Sequence, residues 1–291
     1  TEFGLLKRKG IIAFTDGIKT VQDPQVMSRI MNFASQSESL IIQHAEDNIL
    51  SKDGLINEGE ISTRLGLKGI PFLAEKIIVE RDLSFLEEYF CRYHIAQISS
   101  KKTLNVIKRA KKEGKIFTTG VSINNLSLNE NDIGDFRTFL KLSPPLRTEE
   151  DRKALVESVN DGTIDVIVSD HKPEDEESKR LTFAKAATGA SGIETLLPLS
   201  LELFHNKSIK LNKLIAAITC NPAKILGIKK GTLTKGHDAD LCVIDINKPW
   251  VVEKNKLKSK SKNTPIENRK LQGQVLKTFI KGDLSYESGR A

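Results

Sequence analysis

The sequence predicts an α/β protein: a parallel (β/α) barrel over residues 1–230, followed by a small β-sandwich portion over 231–291. Three observations carry that expectation. Val166-Ile167-Val168-Ser169 is a short run, apolar except at its last position, and it ends in Asp170-His171-Lys172-Pro173. Parallel barrels read this way because their strands are buried on both faces and carry reactive groups at their C-terminal ends. Further short apolar runs alternate with segments of helical period, the pattern of repeated βα units. After Gly231 the pattern changes to short strands separated by glycine turns.

Taken in order, Ile11 to Thr15 reads as the first strand and stops at the turn dipeptide Asp16-Gly17. A helix is expected over 24–37, with Pro24 in its first turn and Val26, Ile30 and Phe33 at helical spacing. Ser39 to Gln43 is the second strand and ends in His44-Ala45-Glu46-Asp47. Residues 48–70 read as a loop with glycines at 54, 59, 66 and 69. A helix follows over 72–90, with Ile77, Ile78 and Leu86 apolar. The third strand is Tyr93 to Ile98, and a basic amphipathic helix over 101–113 is stopped by Gly114. The fourth strand, Ile116 to Ile123, closes at Asn124-Asn125. Thr148 followed by Glu149, Glu150 and Asp151 marks a helix start, an N-cap hydroxyl with acids in the first turn. The fifth strand is the 166–169 run. Helices are expected over 191–206 and 210–218 and from Asn221-Pro222-Ala223. The last strands are Leu241–Ile244, Val251-Val252 and Val275–Ile280.

Five strands leave a barrel of about eight short by about three units, with two bare sheet edges. The chain also opens on Thr1 rather than Met and enters its first elements without a lead-in. An N-terminal portion is therefore expected to precede it.

Composition excludes several classes. Hydrophobic content of 38% and charged content of 29% are ordinary for a globular domain. The net charge of +7 is spread along the chain. The one dense basic stretch, Lys254 to Lys262, has no interleaved aromatic residues and reads as a solvated loop, so no nucleic-acid partner is expected. No run approaches the ~18–20 apolar residues of a membrane span. Cys91, Cys220 and Cys242 lack pair spacing and read as small buried residues of a cytoplasmic protein.

At this point the strand ends become recognisable as a set. Ala13-Phe14-Thr15-Asp16-Gly17, His44-Ala45-Glu46-Asp47, Ser143-Pro144-Pro145-Leu146-Arg147 and Asp170-His171-Lys172-Pro173 occur in order on the expected elements. Gly192-Ile193-Glu194-Thr195, Asn221-Pro222-Ala223-Lys224, Asp238-Ala239-Asp240-Leu241 and Lys262-Asn263-Thr264-Pro265 continue the series. Over nearly its whole length the chain resembles the class I dihydroorotases of the amidohydrolase superfamily. The resemblance implies a TIM (β/α)8 barrel, incomplete at its N-terminal side. Residues 1–230 would carry strands four to eight. It implies the reversible closure of N-carbamoyl-L-aspartate to dihydroorotate in pyrimidine synthesis. Zinc would polarise the amide carbonyl and acidify a bound water, and an aspartate would shuttle the proton.

The same resemblance assigns positions. Asp170 falls on the catalytic aspartate, also a metal ligand; its bland alternative is a carboxylate capping the next helix. His44 falls on the second-strand metal ligand; its alternative is a hydrogen-bonded pocket histidine. The third-strand ligand position holds Gln97, a poor zinc donor beside imidazole. His94 lies three residues earlier and points to the other face. The bridging-ligand position holds Gly17, with Asp16 adjacent. On the substrate side, Asn125 (with Asn124) and Ser143 replace the residues often found in the family. Glu174 stands where a histidine would bind the substrate carboxylate, and facing a dianionic substrate it adds repulsion. His171 reads as structural, and His205 and His237 as exposed.

These departures favour a dihydroorotase-like protein with lost or weak catalysis. It would hold aspartate transcarbamoylase in an assembly and be a homo-oligomer itself. The alternative is a working zinc-dependent dihydroorotase or another cyclic-amide hydrolase.

Overall fold

The computed structural model describes residues 2–289. Helix α1 (Phe3–Arg8) precedes β1 (Ala13–Phe14), which is shorter than the expected first strand. Helix α2 (Pro24–Ser37) starts where Asp23 accepts hydrogen bonds from the Gln25 and Val26 amides, with Pro24 supplying the first-turn geometry. Its buried stripe is Met27, Met31 and Ala34, whereas Val26 and Phe33 are exposed. Both sets have helical spacing. The stripe turned towards the sheet was decided by packing, and Phe33 instead meets the Phe3 ring edge-on, with centroids 5.3 Å apart.

Strand β2 (Leu40–Gln43) follows. The stretch 48–70 is not a plain loop. It holds β3 (Ile56–Asn57), helix α3 (Glu60–Leu65) and β4 (Gly69–Ile70), with β3 and β4 paired in parallel. Its glycines hid this: Gly69 sits so close to the facing chain that an added Cβ would stand 2.5 Å from Glu58 Cα. Helix α4 (Phe72–Glu88) leads to β5 (Arg92–Ile95). In α4, Ile78, Val79, Leu83 and Leu86 are buried, while Ile77 faces outwards. Helix α5 (Lys101–Lys112) buries Leu104, Val106, Ile107 and Ala110 and turns Lys101, Lys102 and Lys112 to solvent. Strand β6 (Thr118–Ser122) runs into the short helix α6 (Ile123–Ser127), so Asn124 and Asn125 open a helix rather than close a strand.

Thr148 caps α7 (Glu149–Asp161) through a reciprocal pair with Asp151, as its sequence signature requires. Strand β7 (Val166–Val168) comes next, then α8 (Glu176–Arg180), α9 (Leu196–His205), α10 (Leu211–Ile218) and α11 (Cys220–Leu226). Three strands end the chain: β8 (Leu241–Val251), β9 (Lys270–Ile280) and β10 (Asp283–Glu287). The two short strands expected over 241–252 are largely one long strand, with irregular register between Asp245 and Pro249.

The main sheet has the order β1-β2-β5-β6-β7, all parallel, with Leu40 opposite Arg92 and Gly120 opposite Val166. This is the βα progression of a TIM barrel. The C-terminal sheet has the order β10-β9-β8 and is antiparallel. It shares the core, since Val252, Leu257, Ile266 and Leu271 join the same apolar cluster as Ile95 and Ile107. Ile107 is fully buried in that cluster. Ile107→Ala should destabilise the fold by about 2–5 kcal/mol, read as a lower denaturant midpoint at unchanged slope.

Other expectations shift with packing. His205 is half-buried rather than exposed, and its Nε2 meets the Ile246 carbonyl at 2.9 Å, joining α9 to β8. His237 is exposed. Cys91 is buried as expected, but Cys220 is half-buried and Cys242 is exposed, and none of the three is in a disulfide. Lys254 pairs with Glu176 at 3.0 Å, and Lys262 folds back onto the Ser259 carbonyl at 2.7 Å, so the basic stretch is partly tied to the protein. Among the described residues, no helix is long and apolar enough to cross a membrane.

Candidate active site at the barrel mouth

The C-terminal ends of β2, β5, β6 and β7 converge because the strands are parallel and in register. The segments after β1, β2, β5 and β7 line a cavity of about 440 Å³ whose polar wall includes His44, Glu46, Gln97, Ser143, Asp170 and Lys172. The volume suits a small-molecule ligand.

Asp170 sits just past β7 with φ 49°, a left-handed conformation that aspartate tolerates better than most residues. Both of its carboxylate oxygens have partners. Gln97 Nε2 donates to Oδ1 at 3.0 Å, and Ser122 Oγ donates to Oδ2 at 3.2 Å. Burial raises the Asp170 pKa above the ordinary aspartate value, and these two hydrogen bonds, with the charges of His44 and Lys172, only partly oppose the rise. Its carboxylate therefore bonds Gln97 and Ser122 rather than capping a helix; Asp175 is the cap of α8.

His44 is buried, with Nε2 3.7 Å from Glu46 Oε2. Burial pushes the Glu46 carboxyl upwards. The neighbouring His44 imidazole, the Ser51 hydroxyl and the Arg147 charge together outweigh that, leaving its pKa below the usual value. Thr20 holds this turn by donating to the His44 carbonyl at 2.7 Å and accepting from the Glu46 amide at 3.1 Å. Ser143 Oγ reaches Glu46 Oε2 only at 3.5 Å.

The remaining positions separate. Gly17 lines the cavity with φ +68° and has no side chain to offer, while Asp16 is exposed and outside the lining. Asn125 is buried away from the cavity and donates to the Pro145 carbonyl at 2.9 Å. Glu174 also lies off the lining. Its Oε1 is 3.9 Å from Lys172 Nζ, so the expected repulsive carboxylate has a cation beside it. His171 does line the cavity, but its Nδ1 accepts from the Gly192 and Ile193 amides at 3.2 and 3.4 Å and so anchors the chain. His94 is turned away, with Nδ1 2.8 Å from Thr118 Oγ1.

Sequence reasoning missed Glu46, Ser122 and Lys172. A signal was present for one of them: Glu46 follows His44 by two positions, and alternate residues of extended chain share a face.

The donor set bears on metal binding. Among the described residues, no three His, Cys, Asp or Glu side chains converge as a metal cage. The cavity offers the imidazoles of His44 and His171, the second already accepting at Nδ1, and the carboxylates of Glu46 and Asp170, with an amide at Gln97, but no three of the ionisable groups converge. Zinc in catalytic sites takes about three strong protein ligands, so these residues alone do not fit it.

A parallel barrel sheet with imidazole, carboxylate and amide groups collected at its mouth is the architecture of metal-assisted amide hydrolases. The amidohydrolase family model matches residues 7–284, and the chain belongs to that family. Within it the chain is of dihydroorotase type. It is 42% identical over its whole length to a dihydroorotase of Ehrlichia canis and 44% identical, over 98% of its length, to one of Syntrophus aciditrophicus. It spans 65% and 67% of those two relatives' lengths. Among solved structures, the L-hydantoinase (dihydropyrimidinase) of Arthrobacter aurescens superposes with TM-score 0.87 at 25% identity, over 99% of this chain and 68% of that one. A D-hydantoinase (dihydropyrimidinase) from Thermus sp. shares the fold with TM-score 0.83 at 21% identity, over 100% of this chain and 67% of that one.

Proposed function

We propose that this chain belongs to a dihydroorotase-like protein of cytoplasmic pyrimidine biosynthesis whose metal-dependent catalysis is lost or weak. Its role is to hold aspartate transcarbamoylase in an assembly, as a homo-oligomer. The observation that supports the first part most directly is the Gln97–Asp170 hydrogen bond. At the strand end where the resemblance calls for an imidazole ligand, a neutral amide instead donates to the carboxylate that would face the metal. Gly17 removes a second ligand position. The loss of each strong ligand lowers zinc affinity steeply, and the losses compound. The continuous core supports a retained scaffold.

The test is metal content of the full-length protein, purified without chelators, loaded with zinc and dialysed. Well under one zinc per chain and no dihydroorotate hydrolysis are expected, with Gln97→His raising the zinc retained. One or two zinc ions held by the parent, with turnover, would overturn the reading. For the scaffold role, Asp170→Ala should leave pyrimidine-independent growth and co-purification with the transcarbamoylase unchanged.

The second reading is an active zinc-dependent dihydroorotase or cyclic-amide hydrolase. It is favoured by Asp170 itself: a buried carboxyl whose pKa is raised by burial, in one cavity with His44, is placed for proton transfer.

A further inference from the structure

The face at the N-terminal ends of the strands, away from the mouth, carries an apolar groove. Because β5 and β6 are parallel neighbours, the turns that enter them lie side by side there. The turn after α4 presents Phe90, and the turn after α5 presents Ile116. Both are 89% exposed, the most exposed of the large apolar side chains among the described residues. They stand at a groove of about 770 Å³ whose lining also includes the buried Leu86, Cys91, Tyr93 and Phe117.

The rim is charged in two separate clusters. Where α4 and α5 end, Lys115 lies 2.6 Å from Glu87 and 3.6 Å from Glu113, so two carboxylates share one ammonium within the lining. Arg109 reaches Glu113 only at 3.9 Å, from outside the lining. At α11 the sign reverses. Arg92 donates to the Ile225 carbonyl and Lys224 is exposed, and neither cation is paired with a carboxylate among the described residues.

We infer that this face is a contact between two copies of the chain related by a twofold axis, with Phe90 of each copy seated in the groove of the other. The contact deepens the homo-oligomer part of the function proposed above and rests on that part alone. A twofold contact needs one patch that complements itself. This patch holds a projecting ring and a recess, and an acidic and a basic cluster on different elements. Turned onto a second copy, the Glu87 and Glu113 cluster meets Arg92 and Lys224, and each unpaired cation gains a carboxylate. A small ligand in the recess would leave Phe90 and Ile116 in water, whereas a protein surface covers them. Exposed apolar patches with polar rims mark such surfaces, and large aromatic side chains anchor them. With one aromatic anchor per copy and rim charges open to solvent, the dimer should be weak, with Kd of about micromolar order, and sensitive to salt.

Sedimentation velocity of the full-length protein over a dilution series gives the test. A concentration-dependent dimer is expected. Phe90→Asp should weaken it about tenfold or more. Diluted until both are monomeric, parent and variant should share one circular dichroism spectrum and thermal midpoint, since an exposed side chain gives up no contact of the fold. Lys224→Glu should weaken the dimer several-fold, and added salt should weaken the parent dimer more than that of Lys224→Glu. A parent dimer unchanged by Phe90→Asp would overturn the face and leave the homo-oligomer reading standing. A parent that stays monomeric at every concentration would overturn both. If Phe90→Asp leaves self-association intact but abolishes co-purification with the transcarbamoylase, the groove belongs to that partner and the second-copy assignment fails.

Discussion

Arg147→Ala is expected to cost the fold about 3–5 kcal/mol, the range for breaking a buried charged network by removing one partner. The Arg147 side chain is buried beside the barrel mouth. Its Nε donates to Ser99 Oγ at 3.1 Å, and its Nη1 donates to Asn57 Oδ1 at 2.7 Å and to the Ile70 carbonyl at 2.6 Å. Those partners belong to β3, β4 and the chain entering α5, so one guanidinium fastens the 48–70 excursion to the barrel. The network continues on both sides. Glu75 accepts from the Ser99 and Ser100 amides at 2.8 and 3.2 Å, and Asn57 donates to Glu130 at 2.6 Å. Burial pulls the Arg147 pKa down, against the charges of Glu75, Asp151, Glu46 and Glu130, which favour the cation. Removing it strands buried acceptors that water cannot reach. Arg147→Lys keeps the charge but loses the planar fork and should recover only part of the loss. Urea unfolding of the parent and both variants reads this directly. A midpoint for Arg147→Ala within experimental error of the parent would refute the structural role.

The second large effect lies on the pH axis. The parent should lose up to about 3 kcal/mol of stability between pH 6.5 and pH 4 through His94 alone, and His94→Asn should lack that component. Burial lowers the His94 pKa from 6.5 to about 4; the Lys111 charge lowers it too, while Asp165 partly opposes. In this window the unfolded chain takes up a proton that the folded chain refuses. The unfolded state is then favoured as pH falls, and the stability present above the unfolded pKa drains away until the folded pKa is reached. Asparagine can still meet Thr118 at the place of Nδ1, so the comparison removes the titration with least disturbance to packing. Unfolding free energies at pH 7, 5.5 and 4.5 give the test. Parallel pH profiles for parent and variant would reject His94 as the titrating group. Because His94 is turned away from the mouth, ligand binding should not follow this transition.

Much of the fold was legible because the signals are local. The Val166 run, the Thr148 cap, the Pro24 helix start and the Gly114 stop are consequences of backbone sterics, orphan helix amides and side-chain period. These act over a few residues and leave marks in the sequence. The same holds for the family resemblance, whose motifs fall at strand ends and turns. Legibility ended where phase or register mattered. In α2 two stripes of equal periodicity were available, and Met27, Met31 and Ala34 were chosen by contact with the sheet. In 48–70 the glycines suggested a loop, yet close approach of Gly69 to Glu58 allowed a paired strand.

The candidate site divides along the same line. The sequence by itself determined that His44, Gln97 and Asp170 stand at strand ends, because parallel strands in a βα series must share a direction. Only the tertiary structure decided that Gln97 and Asp170, distant in sequence, are hydrogen-bonded, and that Asn125 serves Pro145 instead of the cavity. It also decided that the Lys172 stem lies against Gly189 with its ammonium 3.9 Å from Glu174. Those are meetings between side chains from different elements, set by barrel closure and core packing, and no local pattern of residues encodes them.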